Sequence, residues 1–317
     1  MTALRFRRAC VAGVGAAALG ISMLGTIGSA QAMPTRDGRV APACASGGAR
    51  TAHQHARDTE ELSAAQVRHM EADLTAQLRS VPQAQARATA STPVTIPVAV
   101  HVIRPDASTH EVGPQRALRQ VRITSRGYAG RQDPTAFATP FRFKMVSFDS
   151  TVNSRWYTTG PNTASEHEMK RALHIGDAGV LNVYFNKPSG GVLGWATFPQ
   201  WYDNHKLLDG VVINIESMKG GAATGYNRGD TLTHEAGHWL GLYHTFQGGC
   251  SRSNDHVTDT PTEAGPNFTC PQNLDTCKAA GLDPIHNFMD YSYDPCMYAF
   301  TRGQSERMVL SYLAYRR

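Results

Sequence analysis

Residues 233–244 combine three histidines and a glutamate at a spacing that suits metal chemistry: Thr-His-Glu-Ala-Gly-His-Trp-Leu-Gly-Leu-Tyr-His. His234 and His238 are four residues apart, so on a helix both imidazoles project from one face and can hold one metal ion. Zinc suits two or three imidazole nitrogens with one position left for water. Glu235 lies one residue along, beside the metal rather than pointing at it, which is the place for a base that acts on that water.

His244 cannot be a third ligand on the same straight helix. Ten residues after His234, it would lie roughly 80° from the direction of the first ligand and about 15 Å further along the axis. Gly241 resolves the geometry, because glycine tolerates the positive φ that ends a helix and turns the chain sharply. The sequence therefore predicts a helix that stops at Gly241 and a chain that carries His244 back to the metal.

The whole pattern is more specific than its parts. Three histidines, a glutamate and a glycine at these offsets would arise by chance in about one of 10⁴ chains of this composition, whereas His-Glu-x-x-His alone is much weaker evidence. The alternative is a core helix that happens to contain histidines. Histidines elsewhere have no ligand spacing and are expected at the surface or in packed positions, as for His101, His205, His256 and His286.

Composition indicates a folded chain without a nucleic-acid partner. The 317 residues are 41% hydrophobic and 18% charged, which is too apolar for a disordered chain and enough for one large domain or two smaller ones. Lys and Arg number 31 against 26 Asp and Glu, a net charge of +5 that is spread along the chain. Nucleic-acid binding needs a dense basic stripe, and none is present.

The N-terminus has the features of an export signal. Three arginines within residues 5–8 precede an apolar run over 9–29, which closes on Ala30-Gln31-Ala32. The run is nearly long enough for a membrane anchor, but its glycines and the Ala-x-Ala exit favour a signal peptide over 1–32. Cys10 would leave with it. Because no other stretch is apolar enough to cross a bilayer, we expect a secreted, extracellular protein that has no membrane partner after signal removal.

Two regions follow the predicted signal peptide. Residues 33–90 are rich in Ala, Arg, Gln and Ser and predict one helix, from an N-cap at Ser63 to about residue 78. We interpret this region as a pro-segment or a mobile N-terminal extension, with Arg79 and Arg87 as candidate sites for its removal. A compositional break at 91–93 opens a globular domain over 91–317.

The pattern of the globular domain predicts an α+β fold, a mixed α/β arrangement with a central sheet. Segments rich in Val, Phe and Tyr predict strands at 94–103, 141–148, 180–185, 192–198 and 211–215. Helices are expected between these strands and at the end of the chain, at 115–125, 165–174 and about 304–315. Between His244 and the final helix, Gly, Pro, Asn, Asp and Cys dominate, which predicts a loop-rich region.

Four cysteines lie close together in this loop-rich region: Cys250, Cys270, Cys277 and Cys296. Outside the cytosol, closely spaced cysteines tend to pair. Four cysteines allow three connectivities, and their spacing alone does not choose among them. Cys44 is left over, far upstream.

The histidine segment resembles the metzincin zinc endopeptidases, and the surrounding motifs narrow the resemblance to the pappalysin family. The similarity covers about residues 94–317 and does not extend to 33–90. The motifs are Gly-His-Trp-Leu-Gly-Leu-Tyr-His-Thr-Phe-Gln-Gly-Gly-Cys (237–250), Asp-Thr-Pro (259–261), Asp-Thr-Cys (275–277), Asn-Phe-Met-Asp-Tyr (287–291), Leu-Gly-Trp-Ala-Thr-Phe-Pro (193–199) and Phe-Thr-Arg-Gly-Gln (300–304).

The resemblance implies a metzincin-like zincin catalytic domain, with a twisted sheet and an active-site helix above a loop-rich, disulfide-bridged lower subdomain. It implies a secreted zinc-dependent endopeptidase with one catalytic zinc ion held by His234, His238 and His244. Glu235 would be the general base and then the proton donor to the leaving amine, so that peptide bonds are hydrolysed through a zinc-bound water activated by Glu235.

Further roles also come from the resemblance. Met289 would form the floor of the metal site, and Tyr291 would hydrogen-bond the tetrahedral intermediate, with a purely structural tyrosine as the alternative. The implied disulfides are Cys250–Cys277 and Cys270–Cys296. Segment 191–199 would be the edge strand beside which an extended polypeptide substrate lies.

The last two expectations are a calcium site and a latent form of the enzyme. Some family members bind calcium, and the loop after His244 offers oxygen ligands from Asp255, Asp259, Thr260 and Glu263, although acidic loop residues are often only solvated. A Cys44 thiolate could occupy the fourth zinc position and hold the enzyme latent, the alternative being an unpaired cysteine in a mobile tail.

Two other classes of function remain open beside the endopeptidase. One is a non-catalytic secreted binding module that contains zinc as a structural staple, which Glu235 and an open fourth position argue against. The other is a zinc hydrolase of a non-peptide amide, which the predicted edge strand argues against. We expect a monomer. Asn267-Phe268-Thr269 fits a glycosylation acceptor in a host that glycosylates exported chains.

Overall fold

The computed structural model describes residues 47–51, by their backbone, and residues 62–317. The predicted signal peptide (1–32), with Cys10, and the predicted latency thiol Cys44 lie outside the described residues. Within the described ranges, no helix is both long enough and apolar enough to cross a lipid bilayer.

Six strands form one mixed sheet in the spatial order β1-β5-β6-β4-β2-β3. Strands β2, β3, β4 and β6 run parallel, while β5 is antiparallel to both of its neighbours, β6 and β1. Strands β4 and β6 are buried on both faces, as parallel strands covered by helices should be. The strands are β1 (Gly47–Thr51), β2 (Val94–Arg104), β3 (Phe141–Val152), β4 (Leu181–Asn186), β5 (Val192–Ala196) and β6 (Val211–Asn214).

In the part of the chain that the structure describes, seven α-helices accompany the sheet. The five strands and five helices that the sequence predicts are confirmed to within a few residues, whereas α2, α4 and the strand β1 are not predicted. The helices are α1 (Ala64–Leu78), α2 (Gln83–Ser91), α3 (Pro114–Tyr128), α4 (Ser154–Tyr157), α5 (Ala164–Leu173), α6 (Asp230–Trp239) and α7 (Arg302–Tyr315).

The main hydrophobic core lies between one face of the sheet and helices α3 and α6. Val121 and Tyr128 of α3 and Ala236 and Trp239 of α6 share this core with residues from β2, β4 and β6. A smaller cluster on the opposite face contains Trp195, with residues of α5. Helix α6 is buried along its whole length, so its position is fixed from several sides.

Helix α1 packs against the globular domain. Ser63 caps it in a capping box with Gln66, as the sequence predicts for the N-cap. Val67 and Met70 join a cluster with Phe198 and Tyr243, which lie close to the histidine segment. The same face of α1 carries Glu71, whose carboxylate accepts hydrogen bonds from the buried Arg307 and from the Tyr243 hydroxyl.

The C-terminus anchors the far end of α6. The buried Arg316 side chain stacks on Trp239, 4.0 Å from the ring centroid, and its Nε donates to the Trp239 carbonyl at 3.1 Å. Asp209 Oδ2 accepts from Arg316 Nη1 at 2.8 Å and from Trp239 Nε1 at 2.9 Å. The last turn of α6 is therefore held by a buried ion pair as well as by apolar packing.

Candidate active site

The start of α6 is capped from a distant loop. Its N-cap, Gly229, has φ 101° and no side chain to offer. Asp294 Oδ2 instead accepts from the backbone N–H groups of Arg228 (2.8 Å), Gly229 (3.1 Å) and Asp230 (3.4 Å). A carboxylate at a helix N-terminus satisfies free N–H groups and complements the helix dipole. Asp294 therefore ties α6 to the loop that follows Tyr291.

The end of α6 is a Schellman turn at Gly241. Gly241 has φ 93°, and its N–H donates to the His238 carbonyl at 2.9 Å. The Leu242 N–H reaches back to the Gly237 carbonyl at 2.9 Å, which completes the motif. The turn reverses the chain and brings His244 back beside the helix.

The three imidazoles of His234, His238 and His244 converge. The distance from His238 Nε2 is 3.1 Å to His234 Nε2 and 3.1 Å to His244 Nε2. All three rings are buried, and they form a group of histidines whose nitrogens lie within 4.8 Å of one another. Zinc bonds of about 2.0–2.1 Å in a tetrahedral site place ligand nitrogens about 3.3 Å apart, close to what is seen here.

Hydrogen bonding at the other ring nitrogens tests whether these residues fit a metal. His234 Nδ1 donates to the Phe288 carbonyl at 2.6 Å, and His238 Nδ1 donates to the Leu242 carbonyl at 2.8 Å. A carbonyl can only accept, so both Nδ1 atoms carry the proton and both Nε2 atoms present lone pairs. Two facing lone pairs cannot hydrogen-bond to each other, whereas a cation between them satisfies both. The donor set fits zinc.

The side chain of Glu235 projects from α6 towards strand β5. Its side chain is fully buried, one residue after the first histidine. On β5 it faces Gly194: a Cβ built on that glycine would lie 3.0 Å from Glu235 Cγ and 3.0 Å from Oε1. The carboxylate therefore occupies the space that a side chain at residue 194 would take.

Met289 and Tyr291 lie on the opposite side of the histidines. Met289 is buried, and its sulfur lies so close to Gly237 that a Cβ at Gly237 would overlap it. The Tyr291 ring is 4.9 Å from the His244 ring and 5.9 Å from the His234 ring, between centroids. Tyr291 thus lies against the His234 and His244 rings, and Met289 lies against the α6 backbone between His234 and His238.

The loop-rich region carries the two disulfides that the family resemblance implies, Cys250–Cys277 and Cys270–Cys296. The Asp290 carboxylate in the same region accepts from the backbone N–H of Asn267 (2.9 Å) and of Tyr291 (2.7 Å). These contacts and the bridges fix the backbone on which Met289 and Tyr291 lie.

The residues expected to bind calcium differ in burial and in hydrogen-bond partners. The exposed Asp259 accepts from the Thr301 hydroxyl at 2.7 Å and from the Gly303 N–H at 2.8 Å, which caps α7. Asp255 is buried, and burial raises its pKa to about 7. In the described part of the chain, Asp255 Oδ2 and Asn254 Oδ1 are buried oxygen atoms without a hydrogen-bond partner.

Thr260 and Glu263 are also buried, but Glu263 has other neighbours. Asn267 donates a short hydrogen bond to its carboxylate, and the Asp290 carboxylate lies nearby. Burial, with the negative charge of Asp290, raises the pKa of Glu263. The Asn267 side chain is itself buried, so its amide is not exposed for glycosylation.

The edge of β5 is paired in this structure. Strand β1 runs antiparallel to β5, with Arg50 opposite Gly194 and Thr51 opposite Val192. An N-terminal segment of the chain therefore lies where the sequence predicts an extended polypeptide substrate. This pairing has no sequence signal of its own.

The sequence misses three further residues near the site: Asp294, Gly194 and Gly237. Each acts through a neighbour distant in sequence or through the absence of a side chain, so spacing does not identify it. Asp294 and Tyr298 line one cavity, of about 430 Å³, beside the start of α6.

Comparisons with known proteins agree with this geometry. A peptidase M43 family model, described as pregnancy-associated plasma protein-A, matches residues 173–312. The chain is 39% identical over 221 residues to extracellular metalloprotease 1 of Coccidioides posadasii, which covers 68% of this chain and 76% of that protein. The chain belongs to the pappalysin family.

Other pappalysin-like proteins extend the comparison. An extracellular metalloprotease of Neurospora crassa is 46% identical over 184 residues, 55% of this chain and 61% of its own length. Mature mirolysin of Tannerella forsythia, in complex with a cleaved peptide, matches with a TM-score of 0.58 and 28% identity, covering 69% of this chain and 91% of its own. A promirolysin variant matches with a TM-score of 0.63 and 26% identity, covering 81% of this chain and 94% of its own.

Proposed function

We propose that this chain is a secreted, zinc-dependent endopeptidase in which His234, His238 and His244 bind the zinc ion and Glu235 is the general base. The observation that carries the proposal is the convergence of three imidazoles beside a buried carboxylate. Extracellular metalloproteases among the relatives support secretion, and the cleaved peptide bound to mirolysin supports a polypeptide substrate.

Zinc in this site would polarise the scissile carbonyl and lower the pKa of a water molecule at its open position to about 7. Glu235 takes a proton from the attacking water and then delivers it to the leaving amine. The Tyr291 hydroxyl would donate to the oxygen that becomes negative in the transition state, and the Tyr291 ring 4.9 Å from the His244 ring supports this role. Asp290 and the disulfides hold the Tyr291 backbone, and Met289 packs beneath the histidines as their floor.

Strand β5 supports a substrate in extended conformation. Its backbone is able to pair with an antiparallel strand, and β1 makes that pairing within this chain. The binding-module alternative requires a closed metal site with a fourth protein ligand, and a buried carboxylate base would have no role there. If the substrate were a small non-peptide amide, the ability of β5 to pair with an extended strand would have no role in binding it.

Digestion of a denatured polypeptide by the purified zinc-loaded chain tests the class of function. New fragments with termini inside the substrate sequence are expected from an endopeptidase. Hydrolysis of small amides without polypeptide cleavage would favour the non-peptide hydrolase, and zinc binding without either reaction would favour the binding module.

We also propose calcium in the loop after His244, with Asp255 and Thr260 as ligands. A buried carboxylate with a raised pKa and an unpaired oxygen is stabilised by a cation, and the hard oxygen donors there suit calcium. Glu263 stays a predicted ligand, while the contacts of Asp259 give it a role in capping α7.

Calcium should raise the thermal unfolding midpoint of the wild type and not that of Asp255→Asn, with zinc held constant. Calcium at 100 times its dissociation constant stabilises the folded state by about 2.7 kcal/mol. The exposed Asp275→Asn is the matched control and should respond like the wild type. An undiminished calcium response in Asp255→Asn would refute this site.

Residues 33–90 are proposed to be a pro-segment, with 91–317 as the catalytic domain. Strand β1 covers the edge of β5, and promirolysin matches a larger share of this chain than mature mirolysin does. The contacts of α1 with Tyr243 and Arg307 would hold the segment in place. Cys44, three residues before β1, is proposed as the latency thiol.

Arg50→Pro should raise the activity of the uncleaved chain several-fold, because proline removes a backbone N–H and disfavours strand pairing. Arg50→Ala keeps the backbone N–H and should stay as slow as the wild type. Cys44→Ser should also raise activity if the thiolate blocks the metal. Equal rates for the Arg50→Pro and Arg50→Ala variants would argue against occlusion of the substrate site by β1. If Cys44→Ser cleaves at the wild-type rate, the Cys44 thiol does not hold the enzyme latent.

A further inference from the structure

Gly194 lies on β5 at the point where Glu235 of α6 crosses the strand. Side chains alternate along a strand, so residues 194 and 196 face α6 while Trp195 packs on the opposite face of the sheet. Position 194 carries Gly and position 196 carries Ala, the two smallest residues. This leaves room between β5 and α6 for the buried carboxylate.

The backbone conformation at residue 194 does not explain why this residue is glycine. Gly194 is not among the glycines with positive φ, so its conformation is open to any residue. Its pairing with β6 is regular, with Gly194 opposite Ile213, whereas the pairing of β1 with β5 shifts register around Gly194. Glycine inside a strand weakens it relative to residues with a side chain. The requirement at this position is therefore one of space.

Three atoms define that space. A Cβ at residue 194 would lie 3.0 Å from Glu235 Cγ, 3.0 Å from Glu235 Oε1 and 3.0 Å from Thr231 Cγ2. These separations are below van der Waals contact for carbon, so at least one neighbour would have to move. Thr231 Cγ2 is one bond from a Cβ that the helix backbone fixes, whereas several rotatable side-chain bonds separate the Glu235 carboxylate from the backbone, so we expect the carboxylate to move.

We propose that Gly194 is a positioning residue for the general base: its missing side chain lets the Glu235 carboxylate occupy the catalytic position against β5. The inference rests on the proposed role of Glu235 and adds a specific requirement to it. Gly194 acts on the base and not on the substrate, because alanine at this position keeps both backbone groups that pair with an extended peptide.

Gly194→Ala should lower kcat by about 5- to 10-fold, since the contacts at 3.0 Å require a shift of a few tenths of an ångström and displacement of a catalytic group by about 1 Å can cost 10²-fold. KM should change by less than about twofold, because backbone pairing is retained. Gly160→Ala is the control, since a Cβ at Gly160 meets nothing within 4 Å. It should match the wild type in kcat, KM and thermal unfolding.

Two double variants test whether displacement of the Glu235 carboxylate causes the loss of kcat in Gly194→Ala. Glu235→Asp shortens the base by one methylene, so adding Gly194→Ala to it should change kcat by less than about threefold. Thr231→Ser removes Cγ2 and should not restore kcat to Gly194→Ala. The inference would be overturned if Thr231→Ser fully restored the kcat of Gly194→Ala, or if Gly194→Ala lowered kcat as much in the Glu235→Asp background as in the wild type. Either result would show that Gly194→Ala acts through the packing of α6.

Two measurements do not depend on activity. Peptide affinity of the inactive Glu235→Ala chain should be unchanged by Gly194→Ala within about twofold, and a crystal structure of Gly194→Ala should show the Glu235 carboxylate displaced. Weaker peptide binding, or an undisplaced carboxylate, would overturn the inference. If Glu235→Ala itself cleaves like the wild type, the proposed function fails, whereas the position of the carboxylate still tests the steric role of Gly194.

Discussion

Replacing Glu235 by glutamine should lower kcat for polypeptide cleavage by about 10²–10⁴-fold, the range that general acid–base catalysis contributes. The side chain is fully buried beside the three histidines, so bulk water does not readily take over its proton transfers. Glutamine fills the same space against Gly194 but cannot accept the proton. Initial rates at saturating substrate measure the loss.

The control for this prediction is an exposed glutamate. Glu168 lies on α5 in a solvent-exposed ion pair with Arg155, and Glu168→Gln should retain the wild-type rate. Circular dichroism and thermal unfolding should be the same for both variants. Cleavage by Glu235→Gln at the wild-type rate would contradict the assignment of the base.

Replacing His238 by alanine should remove stoichiometric zinc and all measurable hydrolysis. Its Nε2 is the central atom of the site, 3.1 Å from the Nε2 atoms of both other histidines. Two remaining imidazoles would leave the metal with an incomplete ligand set, and the proposed zinc ion would supply the carbonyl polarisation. Elemental analysis after dialysis measures zinc per chain.

His110→Ala is the matched control, because His110 is exposed and its Nδ1 lies 3.3 Å from Nη1 of the Arg104 side chain. It should bind zinc and cleave like the wild type. One zinc ion per chain in His238→Ala, together with cleavage, would show that the three histidines are not the catalytic metal site.

Local sequence patterns predict the centre of the site well. His234, Glu235 and His238 follow from helical spacing, and the return of His244 follows from the conformation that glycine allows at residue 241. The strands of the sheet are also predicted, because Val- and Phe-rich runs between helical segments are long and distinct. These features depend on neighbours in sequence.

Features that depend on distant contacts are not predicted. Asp294 caps a helix that begins 64 residues earlier, and nothing in its own surroundings indicates that role. Strand β1 is short and polar and exists through pairing with β5, so its composition does not mark it as a strand. The function of Gly194 is the absence of a side chain, which becomes visible only when Glu235 is placed opposite it.

The two ends of α6 show why fixed positions matter for this chemistry. Asp294 holds the first turn, and the Asp209–Arg316 pair with Trp239 holds the last. His234, Glu235 and His238 lie between these anchors on a helix that is buried throughout. Catalytic groups held on rigid elements keep their geometry without reorganisation during the reaction.

The most direct test of the account compares zinc-loaded wild type with Glu235→Gln on one denatured polypeptide, with zinc content and cleavage measured on the same samples. We predict one zinc ion per chain in both proteins and internal fragments only with the wild type. Equal zinc and equal cleavage would contradict the role of Glu235. Zinc in both proteins and cleavage in neither, over a broad set of polypeptides, would contradict the endopeptidase function itself.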